Sequence, residues 1–288
     1  MAAAKLVLGI DAGGGSTRAV LMREEELVSR HSTGPMNLLL HADASDRLVA
    51  LINETNAELV GVGMPGLRNA LQLLKFTHDV KQRTGATVIA ADDATIGLLG
   101  AFAGGPGIVV IAGTGSVAVG WPGKGRVNRV GGHGFLLGDE GSGYWIGRAA
   151  ISAALRSRDG TGPKSGLPEI VERAAGTRLE EIVMRVHSDA TDRKQVSKVT
   201  RALAASTDPA ATAILEEAAD HLIAMAKSLQ ASMGDLPVAM VGGVFEIPIV
   251  SRRFIAATDA TKPLEAPEFG AVRLAIGDRN ARDAALVQ

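Results

Sequence analysis

The chain of 288 residues contains no cysteine. It therefore cannot form disulfide bonds, use a thiol as a nucleophile, or bind zinc or an iron–sulfur cluster through thiolates. Aromatic residues are also scarce, with six Phe, two Trp and one Tyr, which leaves few rings on which nucleic-acid bases could stack. These shortages exclude thiol chemistry and argue against a nucleic-acid partner.

Neither sign of charge is in excess, since 30 Lys and Arg face 31 Asp and Glu and the net charge is −1. A nearly neutral chain has no general attraction for polyanions, so we expect no nucleic acid as partner. No apolar run reaches the roughly 18 residues of a membrane span, and the apolar stretch at residues 1–8 is too short for a signal-peptide core. We therefore expect a cytoplasmic protein that does not contact a membrane.

Glycine, in contrast, is abundant, with 35 residues in the chain against roughly 7% in an average protein. Most of the glycines occur in clusters that follow a short β-branched apolar run. Glycine just past a strand allows a turn with positive φ or a close approach to a ligand. The clusters are therefore the first candidates for ligand-binding turns. They lie at residues 13–15, 104–105, 113–115, 131–132, 141–143 and 242–243.

Short β-branched strands alternate with helices along the chain, which predicts α/β architecture. The Gly-Gly-Pro-Gly segment at 104–107 is the best candidate for a domain boundary. After it the pattern restarts, because 6–22 and 108–121 both read as strand, Gly-Ser/Thr turn and strand; this is either a weak internal repeat or a chance similarity. We expect an N-terminal domain at 1–104 and a C-terminal domain at 105–288, with a last helix, about 267–277, that can pack back on the N-terminal domain.

Two of the predicted helices carry specific expectations. Helical spacing at 69–84 places four apolar residues on the inward face, namely Leu71, Leu74, Phe76 and Val80. A second helix is predicted at 139–155. Its first two residues, Asp139 and Glu140, are carboxylates that complement the helix dipole.

The first glycine turn follows Asp11, which stands at the end of a predicted strand, and consists of Gly13, Gly14, Gly15, Ser16 and Thr17. Consecutive N–H groups and two hydroxyls form a concave site for an anion such as a phosphate, and an aspartate there can hold Mg²⁺ through water. The alternative is an ordinary hairpin turn, although three glycines exceed what a hairpin needs. The segment is neither a P-loop nor a dinucleotide-binding fingerprint, because the lysine motif is absent and a strand follows. A second turn of the same kind is formed by Gly113, Thr114, Gly115 and Ser116.

Three further segments could carry chemistry. Asp92 and Asp93 follow a strand and precede a helix; such carboxylates usually cap the helix, but ligands also bind at this end of a strand. The polar loop at 131–145 holds five glycines within eleven residues beside His133, Asp139 and Glu140, which suggests a loop wrapped on a polar ligand. The pair Gly242 and Gly243 could let a flat ring lie against the backbone, or simply form a turn.

Together these segments resemble the family of N-acetylglucosamine kinases and BadF/BadG/BcrA/BcrD ATPases, within the superfamily of sugar kinases, heat-shock ATPases and actin. The stretch GGHGFLLGDEGSGYWIG is the most specific part of the resemblance. The other segments that carry it are residues 11–17, 34–37, 63–66, Asp93, 113–116 and 241–244, in family order. The resemblance implies two actin-like (ribonuclease H-like) lobes with nucleotide and sugar bound in the cleft between them.

The resemblance also implies a role for each segment. Asp11 would organise Mg²⁺, and the two glycine turns would bind the phosphates of ATP. Gly242 and Gly243 would lie against the adenosine, and Asp93 would activate the sugar 6-hydroxyl as a general base. The sugar itself would be bound by Asn37, Gly66, Asp93, Gly132, His133, Asp139 and Glu140.

The function implied is an ATP-dependent kinase that transfers the γ-phosphoryl group to the 6-hydroxyl of N-acetylglucosamine or glucosamine. The alternatives are a nucleotide-dependent switch of the same fold that phosphorylates nothing, and a sugar-sensing regulator that has lost catalysis. Some family members are not kinases but use ATP to drive electron transfer through a cysteine-bound iron–sulfur cluster. The lack of cysteine excludes that function for this chain. His133 stands where many relatives carry Trp, so the resemblance does not carry their sugar selectivity over to this chain. Relatives are often homodimers, so a homodimer is expected.

Overall fold

The computed structural model describes residues 5–13, 16–36, 43–65, 70–188 and 193–277. Within these ranges strands and helices alternate between residues 26 and 112, and five helices follow one another between residues 143 and 233. The strands are β1 Leu6–Ala12, β2 Thr17–Arg23, β3 Glu26–Thr33, β4 Leu59–Gly63, β5 Thr87–Ala91, β6 Gly107–Ala112, β7 Ser116–Trp121, β8 Asn128–Gly131 and β9 Val238–Val241. The helices are α1 Ala44–Thr55, α2 Ala70–Thr84, α3 Asp93–Ala101, α4 Gly143–Asp159, α5 Leu167–Ala175, α6 Leu179–Ser188, α7 Arg193–Ala204, α8 Pro209–Met233, α9 Pro248–Thr258 and α10 Pro267–Ile276. In the described ranges no helix is both long and apolar enough to span a bilayer.

The chain forms two compact units. The first comprises the described residues within Met1–Val109, Val119–Asn128 and Lys262–Gln288, and the second comprises those within Val110–Ala118 and Arg129–Thr261. The segment that contains α10 therefore belongs to the first unit, although it comes last in the described chain. The hydrophobic contacts of α10 with the first sheet account for this grouping.

Five strands form the first sheet in the order β3-β2-β1-β4-β5. The pairs β1/β2 and β2/β3 are antiparallel, whereas β1/β4 and β4/β5 are parallel. Four strands form the second sheet in the order β8-β7-β6-β9. Both sheets thus contain a strand–turn–strand unit with a later strand on its far side, which agrees with the internal repeat.

Strand β1 divides its residues between two faces of the first sheet, because successive side chains of a strand point in opposite directions. Leu8 and Ile10 belong to the main apolar core, which they share with residues of α1 and α2. Val7 belongs to a smaller cluster with Val272 of α10. Asp11 is four residues beyond Val7, so the same alternation puts its side chain on the α10 face.

Helix α10 lies directly on the sheet at two glycines. A Cβ on Gly9 would stand 2.1 Å from the carbonyl oxygen of Glu268, and a Cβ on Gly61 would stand 1.8 Å from that of Ala271. Neither distance is compatible with a side chain, and both neighbours are backbone atoms that cannot rotate away. The missing side chains therefore set how closely α10 approaches β1 and β4.

The inward face of α2 differs from the sequence expectation. Phe76 and Val80 are buried, but Leu71 and Leu74 are exposed. The stripe that faces the core is formed by the buried Phe76 and Val80 and by Leu73, which is partly buried, at helical spacing. Leu71 and Leu74 fall on another side of the helix, so their inclusion in the core was wrong.

We expect Gly61→Ala to lower the free energy of unfolding by roughly 1–3 kcal/mol, because overpacking forces α10 off the sheet. Urea denaturation measures this change. Gly243→Ala is the matched control: among the described residues no atom lies within 4 Å of a Cβ placed there, so its unfolding should match the wild type. Unchanged stability of Gly61→Ala would show that α10 does not rest on this glycine.

Candidate active site

A cluster of charged side chains lies on the α10 face of the first sheet. Asp11 and Arg18 stand opposite each other on β1 and β2, and Arg18 Nη2 donates a hydrogen bond of 2.8 Å to Asp11 Oδ2. Helix α10 adds Glu268, whose Oε2 lies 3.9 Å from Arg18 Nε. Arg30 of β3 completes the cluster, with Nη1 3.9 Å from Glu268 Oε1.

The environment of Asp11 raises the pKa of its carboxyl group. Burial is the largest cause, because it disfavours the charged form, and the nearby charge of Glu268 adds to it. The hydrogen bond and charge of Arg18 act in the opposite direction but do not cancel the effect of burial. Arg18 is therefore the group that favours the ionised state of Asp11.

The donor set around Asp11 suits a magnesium ion that keeps most of its water. Carboxylate oxygens are ligands that Mg²⁺ prefers, and Mg²⁺ commonly takes only one or two carboxylates plus waters and substrate phosphates. In the described ranges no group of three or more His, Asp or Glu side chains is arranged to hold a metal, at Asp11 or at any other place. Asp11 therefore fits the ion as a single protein ligand beside a nucleotide.

The turn after β1 offers one open hydroxyl. Ser16 is exposed, whereas Thr17 is fully buried. A Cβ on Gly13 would stand 2.8 Å from the carbonyl oxygen of Ser16, so these two residues lie close together. Gly14 and Gly15, which belong to the same predicted phosphate site, lie outside the described residues, as do the predicted sugar residues Asn37 and Gly66.

The two aspartates after β5, Asp92 and Asp93, differ in burial and in hydrogen bonding. Asp92 is buried and caps α3: its Oδ1 accepts a hydrogen bond of 2.8 Å from Thr95 N, and its Oδ2 accepts one of 3.2 Å from Thr95 Oγ1. Asp93 is the first residue of α3 and is exposed, and its Oδ1 accepts a bond of 3.0 Å from Ala94 N. The capping alternative thus applies to Asp92, and Asp93 presents a carboxylate to solvent.

Asp11 and Asp93 belong to the same edge of the first sheet. In the parallel pairings Asp11 is level with Gly63 of β4, and Gly63 is level with Ala91 of β5. Since neighbouring strands lie roughly 4.8 Å apart, the backbones of the two strand ends are about 10 Å apart. This is the carboxyl-terminal edge of parallel strands, where ligands of α/β sheets bind.

In the second unit the turn between β6 and β7 is tied to the loop before α4. Gly143 N donates to Gly113 O (2.8 Å), Tyr144 N donates to Thr114 O (3.3 Å), and Ser116 Oγ donates to Glu140 O (2.7 Å). These bonds join the predicted phosphate turn to the predicted sugar loop. The two segments therefore form one piece of structure.

Asp139 also lies against the turn, at Gly115. It is buried, and a Cβ on Gly115 would stand 2.8 Å from Asp139 Oδ2 and 3.2 Å from its Cγ. Asp139 also has a left-handed backbone with φ of 59°, which no helix interior allows. Helix α4 consequently begins at Gly143 with Ser142 as its cap, and the expected helix start at Asp139 was wrong.

The remaining predicted residues of this unit surround the same turn. Gly132 N donates to Ser116 O (3.0 Å), and His133 is exposed beside Gly138. Gly242 follows β9, and a Cβ on it would stand 2.3 Å from the carbonyl oxygen of Ala112 at the end of β6. Gly243 continues this segment as the first residue of a short 3₁₀ helix, Gly243–Glu246.

Sequence reasoning missed Arg18, Arg30 and Glu268. Arg18 could have been found, because a hairpin that turns at residues 13–16 pairs it with Asp11. Glu268 could not, since 257 positions separate it from Asp11 and only the packing of α10 brings it there.

The sequence model described as the BadF/BadG/BcrA/BcrD ATPase family matches residues 8–275. An N-acetylmuramic acid/N-acetylglucosamine kinase of Clostridium acetobutylicum is 29% identical over 245 residues, which cover 78% of this chain and 79% of that protein. An N-acetyl-D-glucosamine kinase of Dictyostelium discoideum is 27% identical over 276 residues, covering 84% of this chain and 86% of that protein.

The fold is also that of a solved structure from Chromobacterium violaceum, described as a candidate N-acetylglucosamine kinase. It superposes with a TM-score of 0.79 at 24% identity and covers 94% of this chain and 99% of its own. At this identity the likeness concerns the fold alone. It confirms the expected α/β class with actin-like lobes.

We expect Asp92→Ala to lower the free energy of unfolding by roughly 0.5–2 kcal/mol, because the first turn of α3 loses its cap. Asp93→Ala should cost less than Asp92→Ala, because an exposed carboxylate in the first turn of a helix contributes about 0.3–1 kcal/mol. Chemical denaturation of both variants measures the difference. Equal losses would contradict the division of tasks between the two aspartates.

Proposed function

Because the chain belongs to the BadF/BadG/BcrA/BcrD ATPase family, we propose that it is an ATP-dependent kinase that phosphorylates the 6-hydroxyl of an amino sugar, N-acetylglucosamine or glucosamine. The named activities of the Clostridium and Dictyostelium relatives support this substrate class. A nucleotide-dependent switch without sugar phosphorylation is not favoured by these relatives.

The observation that carries the proposal is the pair of carboxylates at one edge of the first sheet. Asp11 is the last residue but one of β1 and Asp93 follows β5, with one strand between them. The backbones of Asp11 and Ala91, which comes two residues before Asp93, are about 10 Å apart, and this spacing leaves room for a γ-phosphoryl group between a cation at Asp11 and a hydroxyl at Asp93.

The proposed reaction requires that the phosphoryl group and the sugar hydroxyl be held in line, and it requires one proton acceptor. The sugar oxygen forms a bond to the γ-phosphorus while the bond from that phosphorus to the β,γ-bridging oxygen breaks and ADP leaves. Asp93 takes the proton of the attacking hydroxyl and passes it to solvent. Its place in the first turn of α3 favours a negative charge. Since such transition states are loose, holding the groups in line supplies most of the rate.

Each unit contributes its own binding residues to the proposal. In the first unit, Asp11 would hold Mg²⁺, which would neutralise charge on the β- and γ-phosphates when bound, and the turn residues Gly13, Gly14, Gly15, Ser16 and Thr17 would bind phosphate. In the second unit, Gly113, Thr114 and Gly115 would bind phosphate and Gly242 and Gly243 the adenosine. The sugar would be bound by Asn37, Gly66, Asp93, Gly132, His133, Asp139 and Glu140. A homodimer and a cytoplasmic location stay predictions.

The direct test is ADP release with Mg·ATP and a panel of sugars. The panel comprises N-acetylglucosamine, glucosamine, N-acetylmuramic acid, glucose, N-acetylmannosamine and a sample without sugar. We expect one amino sugar to accelerate ADP release, with product phosphorylated at the 6-position by NMR. Equal slow release in every sample would contradict the kinase.

Asp93→Asn tests whether Asp93 is the proton acceptor. It should lower kcat by roughly 10²–10⁴, the usual contribution of a general base, while calorimetry shows sugar binding close to that of the wild type. The amide keeps the size of the side chain, but it is neutral and cannot accept the proton. A variant that turns over at nearly the full rate would remove Asp93 from the mechanism.

Gly115→Ala should raise the KM for the sugar several-fold, although Gly115 lies in the phosphate turn. The added methyl group would stand within 3.4 Å of three atoms of the Asp139 carboxylate and must displace it. A shift of about 1 kcal/mol in sugar binding corresponds to roughly a fivefold change. Initial rates at saturating ATP give this KM.

Gly113→Ala is the control for Gly115→Ala. It lies in the same turn, and within the described ranges no atom is closer than 4 Å to a Cβ placed there. It should leave the sugar KM unchanged even where it alters the KM for ATP. The same sugar KM in both variants would contradict the contact between the turn and Asp139.

A further inference from the structure

Glu268 is a buried carboxylate that lacks a hydrogen bond at one oxygen. Its side chain is 6% exposed, and in the part of the chain that the structure describes its Oε2 has no hydrogen-bond partner. The nearest cations, Arg18 Nε and Arg30 Nη1, are each 3.9 Å away, about 1 Å beyond hydrogen-bond distance. A buried charge in this state is costly, so a closer approach by one guanidinium would stabilise it.

Arg18 is the guanidinium that can make this approach. Its side chain is 52% exposed, and its hydrogen bond is to Asp11. The exposed end of Arg18 has room to move, whereas Asp11 is only 14% exposed, so the guanidinium can leave without loss only when another cation takes its place at that carboxylate. A movement of about 1 Å towards Glu268 would bring Nε to hydrogen-bond distance.

The present bond to Asp11 conflicts with a cation there. Arg18 Nη2 lies 2.8 Å from Asp11 Oδ2, which is where a magnesium ion or its water shell would be bound. A divalent cation at that carboxylate would also repel a guanidinium at such short range. Asp11 therefore requires Arg18 to have another partner before it can hold the ion well.

We propose that Glu268 is that partner: it is a positioning residue that accepts the Arg18 guanidinium when Asp11 binds magnesium with the nucleotide. The exchange leaves Asp11 paired in both states and gives Glu268 a partner in one of them. Asp11 is paired with Arg18 without the cation and with the cation when nucleotide is bound, while Glu268 gains Arg18 in the second state. This inference rests on the proposed function only in that nucleotide and magnesium bind at Asp11.

Arg30 limits how strongly Glu268 attracts Arg18. It lies near the other oxygen of Glu268, and its guanidinium also stands over the ring of Phe269 at 5.3 Å. Arg30 is well exposed, so it can be replaced without disturbing the core. Loss of Arg30 should therefore strengthen the attraction of Glu268 for Arg18 and ease the exchange.

The test measures ADP binding by calorimetry at a series of free magnesium concentrations. The quantity compared is the midpoint, which is the magnesium concentration at which the effect on ADP binding is half complete. Glu268→Gln should raise the midpoint by about fivefold, a usual size for coupling between two equilibria, because Arg18 then stays on Asp11. Arg18→Gln should lower it, because the competing cation is gone. Arg30→Gln replaces an exposed residue and should lower the midpoint as well, because Glu268 then attracts Arg18 more strongly.

The double variant shows whether Glu268 acts through Arg18. In the Arg18→Gln background, Glu268→Gln should leave the midpoint at the value of Arg18→Gln alone. Glu265→Gln is the matched control, since Glu265 is close to Glu268 in sequence but pairs with Arg273 at 2.6 and 2.8 Å. It should not move the midpoint. Thermal unfolding of each variant confirms that it is folded.

Two results would overturn the inference. If Arg18→Gln raises the midpoint as Glu268→Gln does, Arg18 binds the nucleotide instead of competing with the cation. If Glu268→Gln has its full effect without Arg18, Glu268 acts by another route. Failure of the wild type to bind ADP at any magnesium concentration would count against the proposed function itself, and is therefore distinct from both results.

Discussion

The close contact of α10 with the first sheet is the constraint on which the candidate site depends. Only glycine at positions 9 and 61 lets the backbone of α10 touch β1 and β4. That contact brings Glu268 to the face on which Asp11 and Arg18 already stand opposite each other. A larger residue at either glycine would move Glu268 away from the cluster and leave Arg18 with Asp11 alone. Packing and charge arrangement are thus set by the same two positions.

The second unit also has a carboxylate beside its glycine turn, but that carboxylate comes from a different part of the chain. Both units open with a strand–turn–strand, and both sheets have the same strand order around it. Counting back from the first turn glycine, however, the position of Asp11 is occupied by Ile111. The acidic side chain next to the second turn is Asp139, which comes from the loop before α4 and packs on Gly115. One turn therefore has its carboxylate on its own strand, and the other receives it from a distant segment.

This difference explains which parts could be predicted from the sequence. The strands, the glycine turns and the assignment of one aspartate at 92–93 to capping depend on neighbours within a few residues, which local patterns reveal. The start of α4 was misplaced because the favourable charges of Asp139 and Glu140 hid the left-handed backbone of Asp139. Leu71 and Leu74 were counted as core because helical spacing alone does not say which stripe faces the sheet. Glu268 depends on tertiary packing and has no local signal.

The two carboxylates at the sheet edge differ in how firmly they are held. Asp92 fixes the first turn of α3 through both of its oxygens, and the residues of α3 that follow Asp93 are buried on all sides. Asp93 is therefore held on a rigid element, which suits the proton acceptor that we propose it to be, because catalytic groups tolerate little displacement. Asp11 is held by an exposed arginine that has a second carboxylate within reach. In the proposed mechanism a cation would arrive and leave with each nucleotide at Asp11, where an adjustable partner is an advantage, and the hydroxyl would be aligned at Asp93, where a fixed one is.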